Sequence, residues 1–260
     1  MSERFIIGKD CQIEKGATIN VKEGSIGDRS IIRSGARIEG NYVKLGRECY
    51  LDHFAYIGGG SCWDSCAYLT ALDWVHFGEY SQVNIARGVE IGNEVGIGIG
   101  SKIFTHGAYL PFDRGFPVKW APVKIGNRVW LPNAWINPGV VIGDDVVVAA
   151  QSLVNKDLPD GCLAGGIPIK VLKENAYPNY RNPGEFVELF LPQLSIAGIN
   201  DYKFLRGIIQ IGDTTFDIEN RTIRGPVTDS TERVKNQLRR NGIRFRFFAK
   251  DKEYLPWDED

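Results

Sequence analysis

Three histidines, His53, His76 and His106, are the side chains of this chain whose ordinary titration falls near neutral pH. An imidazole there can ligate a metal or carry a proton, and spacing helps to tell these apart. The three lie 23 and 30 residues apart, with no close pair. Five cysteines offer thiols, but no second Cys or His pair at zinc-finger spacing follows Cys62 and Cys66 in "GGGSCWDSCA". A metal site is therefore not expected. His53 and His76 read as exposed or turn residues. His106 differs in its setting: it closes "GSKIFTH", immediately before a regular pattern stops for some twenty residues.

That pattern must position whatever His106 does. Ile7, Ile13, Ile19, Ile26, Ile32, Ile38, Leu45, Leu51 and Ile57 follow one another at spacings of six or seven. Ile85, Ile91, Ile97 and Ile103 continue the beat, and Ile125, Leu131, Ile136, Ile142, Val148 and Val154 resume it beyond the gap. Small residues such as Cys11, Ala17, Ser30, Ala36, Cys49, Ala55 and Ser101 often stand four places after an aliphatic. Turn sequences recur as "IGDRS", "LGREC", "IGNEV" and "IGDDV". A period of six fits neither a helix nor an alternating strand. It predicts a hexapeptide β-helix, a three-sided prism of short strands and turns, with about eight coils over residues 5–158. Burying one Ile contributes roughly 1.5–3 kcal/mol, whereas ordering each backbone residue costs about 1–2 kcal/mol. A single coil therefore cannot stand alone, and stability must come from stacked neighbours.

The chain has 260 residues, 30 glycines and a net charge of −1. No signal peptide or membrane span is evident from "MSERFIIGKD" onward, and the odd cysteine count suits a reducing cytoplasm. The prism is expected over 1–172, with a projecting loop at 107–121, and a Pro-, Asn- and Tyr-rich linker over 173–184. Residues 185–260 read as a small α+β appendage. In it, "RGIIQIG" and "TTFDI" form strands about a turn at Gly212-Asp213, and "IRFRFFA" alternates as a third. A helix over "DSTERVKNQLRRNGI" is capped by Asp229 with Glu232. Nine Lys/Arg fall within 221–250 against Asp229 and Glu232. They read as a solvated face balanced by the acidic "WDED" end, with a surface for a phosphate-bearing acceptor as the alternative. No aromatic-rich motif accompanies them, so nucleic acid is not expected.

The stretch "IFTHGAYLPFD…APVKIGNRVWLPNAWINPGVVIGDDVVVAAQSLVNKDLPDGCLAGGIPIKVL" resembles the hexapeptide-repeat sugar O-acetyltransferases of the galactoside and maltose acetyltransferase group. "APVKIGNRVW", "INPGV", "KDLP" and "GGIPIKVL" carry the likeness, over about 70 residues from Lys102 to Leu172. The resemblance implies an all-β left-handed parallel β-helix and an acetyl-CoA-dependent transferase needing no metal. A γ-class carbonic anhydrase would require two neighbouring histidines, which are missing here. A non-catalytic solenoid scaffold is the reading from a different class.

By that resemblance His106 is the general base, an imidazole largely neutral at physiological pH. Asn133 matches the position whose backbone N–H faces the thioester carbonyl. Trp130 matches a tryptophan beside the pantetheine arm, and Gly98 and Ala150 match small positions along it. Asn155 and Lys156 match residues near the CoA phosphates. Lys170 stands where Arg is usual, and keeps the charge without the planar fork. Gln151 in "AAQS" is bulkier than the usual Gly. Asn84 and Asp113 are candidate acceptor contacts. The loop, rich in Tyr109, Phe112, Phe116 and Trp120, would wall a neighbouring subunit's site in a homotrimer. Extra N-terminal coils and the appendage are more like the acetyltransferases of polysaccharide assembly. A glycan or activated sugar hydroxyl is the leading acceptor, with N-acetylation of an amino sugar, nucleotide-linked, or of a xenobiotic as the alternative.

Overall fold

The computed structural model describes residues 4–257; Met1–Glu3 and Asp258–Asp260, most of the acidic "WDED" end, lie outside the described residues. The chain divides into two compact units, Met1–Pro178 and Asn179–Asp260. No helix among the described residues is long and apolar enough to cross a membrane.

The first unit is a parallel β-coil with three faces. Its first face carries eight parallel strands: Gln12–Ile13, Ile31–Ile32, Tyr50–Leu51, His76–Phe77, Gly96–Ile97, Trp130–Leu131, Val147–Val148 and Leu163–Gly165. The second carries Tyr56–Gly58, Gln82–Asn84, Lys102–Ile103, Trp135–Ile136 and Leu153–Val154. The third carries Phe5–Ile7, Tyr68–Ala71, Val89–Ile91, Val123–Ile125 and Val141–Ile142. Two long strands, Thr18–Ile26 and Arg37–Leu45, bend from the second face onto the third and join the two into one sheet.

Register explains the sequence beat. Ile13, Ile32, Leu51, Phe77, Ile97 and Leu131 are successive partners on the first face. Ile19, Ile38, Ile57, Val83, Ile103, Ile136 and Val154 form the second column. Ile7, Ile26, Leu45, Ala71, Ile91, Ile125 and Ile142 form the third. The beat placed Ile85 where the second column uses Val83; Ile85 is buried at the following corner. The columns are buried except at the N-terminal coil, where Ile13 is 42% exposed and no further coil among the described residues lies over it.

The corner leading from the third face to the first accounts for the "IGD" motif. Backbone N–H groups of Lys9, Arg47, Asp73, Asn93, Asn127 and Asp144 each donate to a side-chain oxygen one coil on, at 2.6–3.0 Å. The acceptors are Asp28, Asp73, Asn93, Asn127, Asp144 and Asp160, so most rungs both give and receive. The preceding glycine lets the coils approach: a Cβ on Gly126 would lie 2.2 Å from the rung oxygen of Asp144. The next residue turns through left-handed backbone, as Arg29, Glu48, Glu94, Arg128 and Asp145 do.

The second unit has helix α1 (Pro183–Ile196), helix α2 (Asp229–Arg240) and a six-stranded antiparallel sheet. The strands Ile208–Ile211 and Thr214–Asp217 pair about Gly212-Asp213, as the sequence suggests. Phe190, Phe216 and Phe245 pack edge to face at its centre. Two details depart from expectation. Helix α2 is capped by Thr228 with Thr231, one residue earlier than Asp229 and Glu232. Glu232 instead accepts from the Tyr254 hydroxyl and pairs with Lys235 at 3.1 Å. The alternating "IRFRFFA" becomes strand only from Phe247 to Lys250.

The columns make a direct demand on stability. Ile57 is fully buried, and Ile57→Ala should lower the unfolding free energy by about 2–5 kcal/mol, measured as a shift in the urea midpoint.

Candidate active site

The pattern stops at His106 because the chain leaves the corner between the second and third faces. His106–Gly107 pairs antiparallel with Lys119–Trp120, and Ala121 N–H donates to Thr105 O at 3.0 Å. These contacts make a narrow neck. Beyond it residues 107–120 are exposed, around one short 3-10 turn at Phe112–Arg114. Val123–Ile125 then rejoins the third face.

His106 is held at that neck by the coil beneath. Its Nδ1 lies 3.0 Å from Asn84 Oδ1, and its ring stacks on Trp120 at 4.4 Å. Asn84, only 5% exposed, fixes the proton arrangement. The same Oδ1 faces Ala86 N–H at 3.3 Å, while Nδ2 faces Gly60 O at 3.1 Å. A backbone N–H can only donate and a carbonyl can only accept, so the amide orientation is determined. Oδ1 must then receive a proton from His106 Nδ1, and the lone pair is left on Nε2. Thr105 Oγ1 donates to the same oxygen at 2.6 Å. Asn84 thus orients His106, a role that the sequence did not suggest for it.

Two charges act on this imidazole. Arg87 stacks on Trp120, its guanidinium carbon 4.1 Å from the ring centre, and pairs with Asp64 at 3.0 Å. Burial pushes the His106 pKa below the usual imidazole value, Arg87 pushes it further, and Asp64 partly offsets both. The other histidines have structural surroundings. His53 Nδ1 lies 3.2 Å from Ser34 O, and His76 packs edge-on to Tyr50 with Asp52 3.7 Å away.

The remaining expected residues fall in three places. Asp113, Asn155 and Lys156 share the corner of His106, the first on its loop, and all three are exposed. Gly98, Asn133 and Ala150 lie on the corner between the first and second faces, next to Trp130. Lys170 is exposed on the last strand of the coil, Lys170–Lys173. Trp130 lies flat on Gly96, where a Cβ would meet its ring at 2.4 Å, and stays 43% exposed. Gly98 is buried against Pro132, whose Cα a side chain would meet at 2.8 Å.

The corner at Asn133 is unusual. It has three residues, 132–134, where its neighbours 98–101 and 149–152 have four. In the regular corners the matching N–H bonds to the coil before, as Tyr80 does to His53 O and Gly100 to Glu79 O. Asn133 sits in left-handed backbone at φ 51°, and its N–H has no partner among the described residues. It is a free donor at the surface. Four residues of extended chain separate it from the level of His106, on the order of 13 Å. One chain does not bring the two together.

Sequence reasoning passed over Arg87, Asp64, Thr105 and Gly96. The signal was coil spacing: Asp64–Arg87 and Asn84–His106 are contacts 23 and 22 residues apart, one coil step each.

No family model matches the chain. It is 48% identical over 54 residues to galactoside O-acetyltransferase of Escherichia coli (strain K12), covering 20% of this chain and 27% of that protein. It is 32% identical over 112 residues to WbbJ of the same organism, assigned by its name to O-acetyl transfer in lipopolysaccharide biosynthesis, covering 39% and 55%. The chain thus spans about a quarter to half the length of these relatives. Among solved structures, a variant of AntD, an N-acyltransferase from Bacillus cereus in complex with an amino-sugar nucleotide and coenzyme A, is 21% identical, with a TM-score of 0.48 over 72% of this chain and 90% of that one. In sequence, then, this chain resembles the hexapeptide-repeat sugar O-acetyltransferases, and galactoside O-acetyltransferase is among its relatives.

Proposed function

We propose that this chain is an acetyl-CoA-dependent acyltransferase that acetylates a hydroxyl of a sugar or polysaccharide precursor, with His106 as general base. The observation that carries the reading is the fixed tautomer: Asn84 holds Nδ1–H and leaves the Nε2 lone pair open. On this reading the coil is left-handed, as in the family it resembles. The protein works in the cytoplasm, where its cysteines, all free in the structure, stay reduced.

Nε2 takes the proton of the acceptor hydroxyl as its oxygen forms a bond to the thioester carbonyl carbon. Negative charge gathers on the carbonyl oxygen, where the unpaired Asn133 N–H is suited to receive it. As the C–S bond breaks, the imidazolium returns its proton to the departing thiolate. Burial and Arg87 keep the imidazole neutral and ready. The exposed ring of Trp130 and the open backbone at Ala150 suit the thin pantetheine arm, with Gly98 beneath them. Asn155, Lys156 and Lys170 supply polar and cationic contacts for phosphates, and Asp113 on the loop lies on the acceptor side. His106 and Asn133 stand on different corners, so a second copy must bring its Asn133 corner to the first copy's His106. A closed three-fold homotrimer meets that need with three equivalent sites.

Calorimetric titration should show acetyl-CoA binding at about one per chain to the wild type and to His106→Ala, while His106→Ala loses about 10²–10⁴-fold in kcat. Absence of binding to either protein would overturn the transferase reading. The pH profile of kcat/KM should rise with a midpoint below 6.5, the ordinary imidazole value, and be flat above neutrality, because the base acts when deprotonated and its pKa is depressed. Sedimentation equilibrium should give three times the 29.0 kDa chain mass.

A further inference from the structure

The Arg87 guanidinium is restrained on two sides and open on a third. Its Nη1 donates to Asp64 Oδ2 at 3.0 Å and to Ala86 O at 2.6 Å. Its flat face lies on Trp120. Its backbone N–H donates to Thr105 Oγ1 at 3.2 Å, which ties the residue to the network of His106. Nε and Nη2 have no partner among the described residues. They form the side-on edge of the guanidinium, the pair of parallel N–H groups that matches two oxygens of a carboxylate or phosphate. Such an edge, immobilised before any ligand arrives, loses little freedom on binding.

Its place matters as much as its shape. The imidazole and the guanidinium both stack on Trp120, so no more than that indole separates them. A hexose carries its acidic substituent within about one ring's width of each hydroxyl, a comparable separation. Asp64 does not cancel the charge, because its carboxylate takes the Nη1 end and Arg87 still acts on His106 as a net positive neighbour. An arginine serving only to pin the 59–67 excursion would need the Nη1 contacts alone.

The geometry points to an anionic acceptor: Arg87 grips an oxyanion of the sugar, a carboxylate or a phosphate, and so sets the hydroxyl against His106 Nε2. This rests on the transferase reading for the identity of the bound molecule, but its test does not depend on turnover. The His106 ring signal is titrated by NMR in the intact protein with galacturonate, galactose 1-phosphate or neutral methyl galactoside. At least one anion should bind and raise the His106 pKa, because it neutralises Arg87, and the neutral glycoside should leave it unmoved. Response to the uronate alone assigns an acidic sugar; response to the phosphate alone assigns a phosphorylated or nucleotide-linked one. Arg87→Gln should weaken anion binding about ten- to a hundredfold. Arg87→Lys, which keeps the charge without the fork, should fall between. If neither anion shifts His106, or the shift persists in Arg87→Gln, the proposal is overturned, and acetyl-CoA calorimetry reports independently on the transferase reading.

Discussion

Everything in the first unit depends on coils lying in register, so that each strand's backbone groups bond to the coils above and below while three aliphatic columns close the interior. These two requirements reinforce each other. Parallel pairing sets Ile38 on Ile57 and Ile97 on Leu131, and packing between those side chains resists a slip by one residue, which would turn every column outward. The Asp/Asn ladder adds a third constraint. It uses the turn that would otherwise leave N–H groups unsatisfied and places their acceptors on the next coil. Such a scaffold is rigid along its whole length, and rigidity is what a proton-transfer site needs.

The site depends on that rigidity at second hand. His106 stands where the chain departs from the prism, and a departing chain is the least constrained part of a solenoid. The neck to Lys119–Trp120, the indole stack and the Asn84 amide restore what the lost coil contacts would have supplied. Asn84 is itself fixed by backbone groups of its own coil and of the 59–67 excursion, so the orientation of the imidazole passes back to the core in two steps.

The inward columns were legible in the sequence because six-residue spacing is a property of single coils. Position 85 was misassigned because the coil has its column residue two places earlier, at Val83, after the excursion alters the count. The network around His106 was less legible for a related reason. Its contacts join residues one coil apart, and the coil length varies where function is placed: partners are 19 residues apart from Ile31 to Tyr50, but 26 from Tyr50 to His76 and 34 from Gly96 to Trp130. Helix α1 starts in the last two residues of what read as linker and runs on into the appendage, where no helix was read before α2; its Asn182 cap and Pro183 at the first turn resemble loop composition until the following residues pack. The shortened corner at Asn133 was visible only when its neighbours could be counted beside it.

The three corners also divide labour in a way that bears on how such a chain can change. The ladder corner keeps four residues in each regular coil from 8–11 to 143–146, because a longer turn would pull an Asp or Asn away from the N–H it serves. The corner between the second and third faces carries no ladder, and it alone holds the 59–67 excursion and the 104–122 loop. Lengthening there disturbs only local backbone, while the columns and the ladder run on unbroken. New chemistry can therefore be tried along one edge of the molecule, at nearly constant cost to folding, while the opposite edge keeps the coils in step.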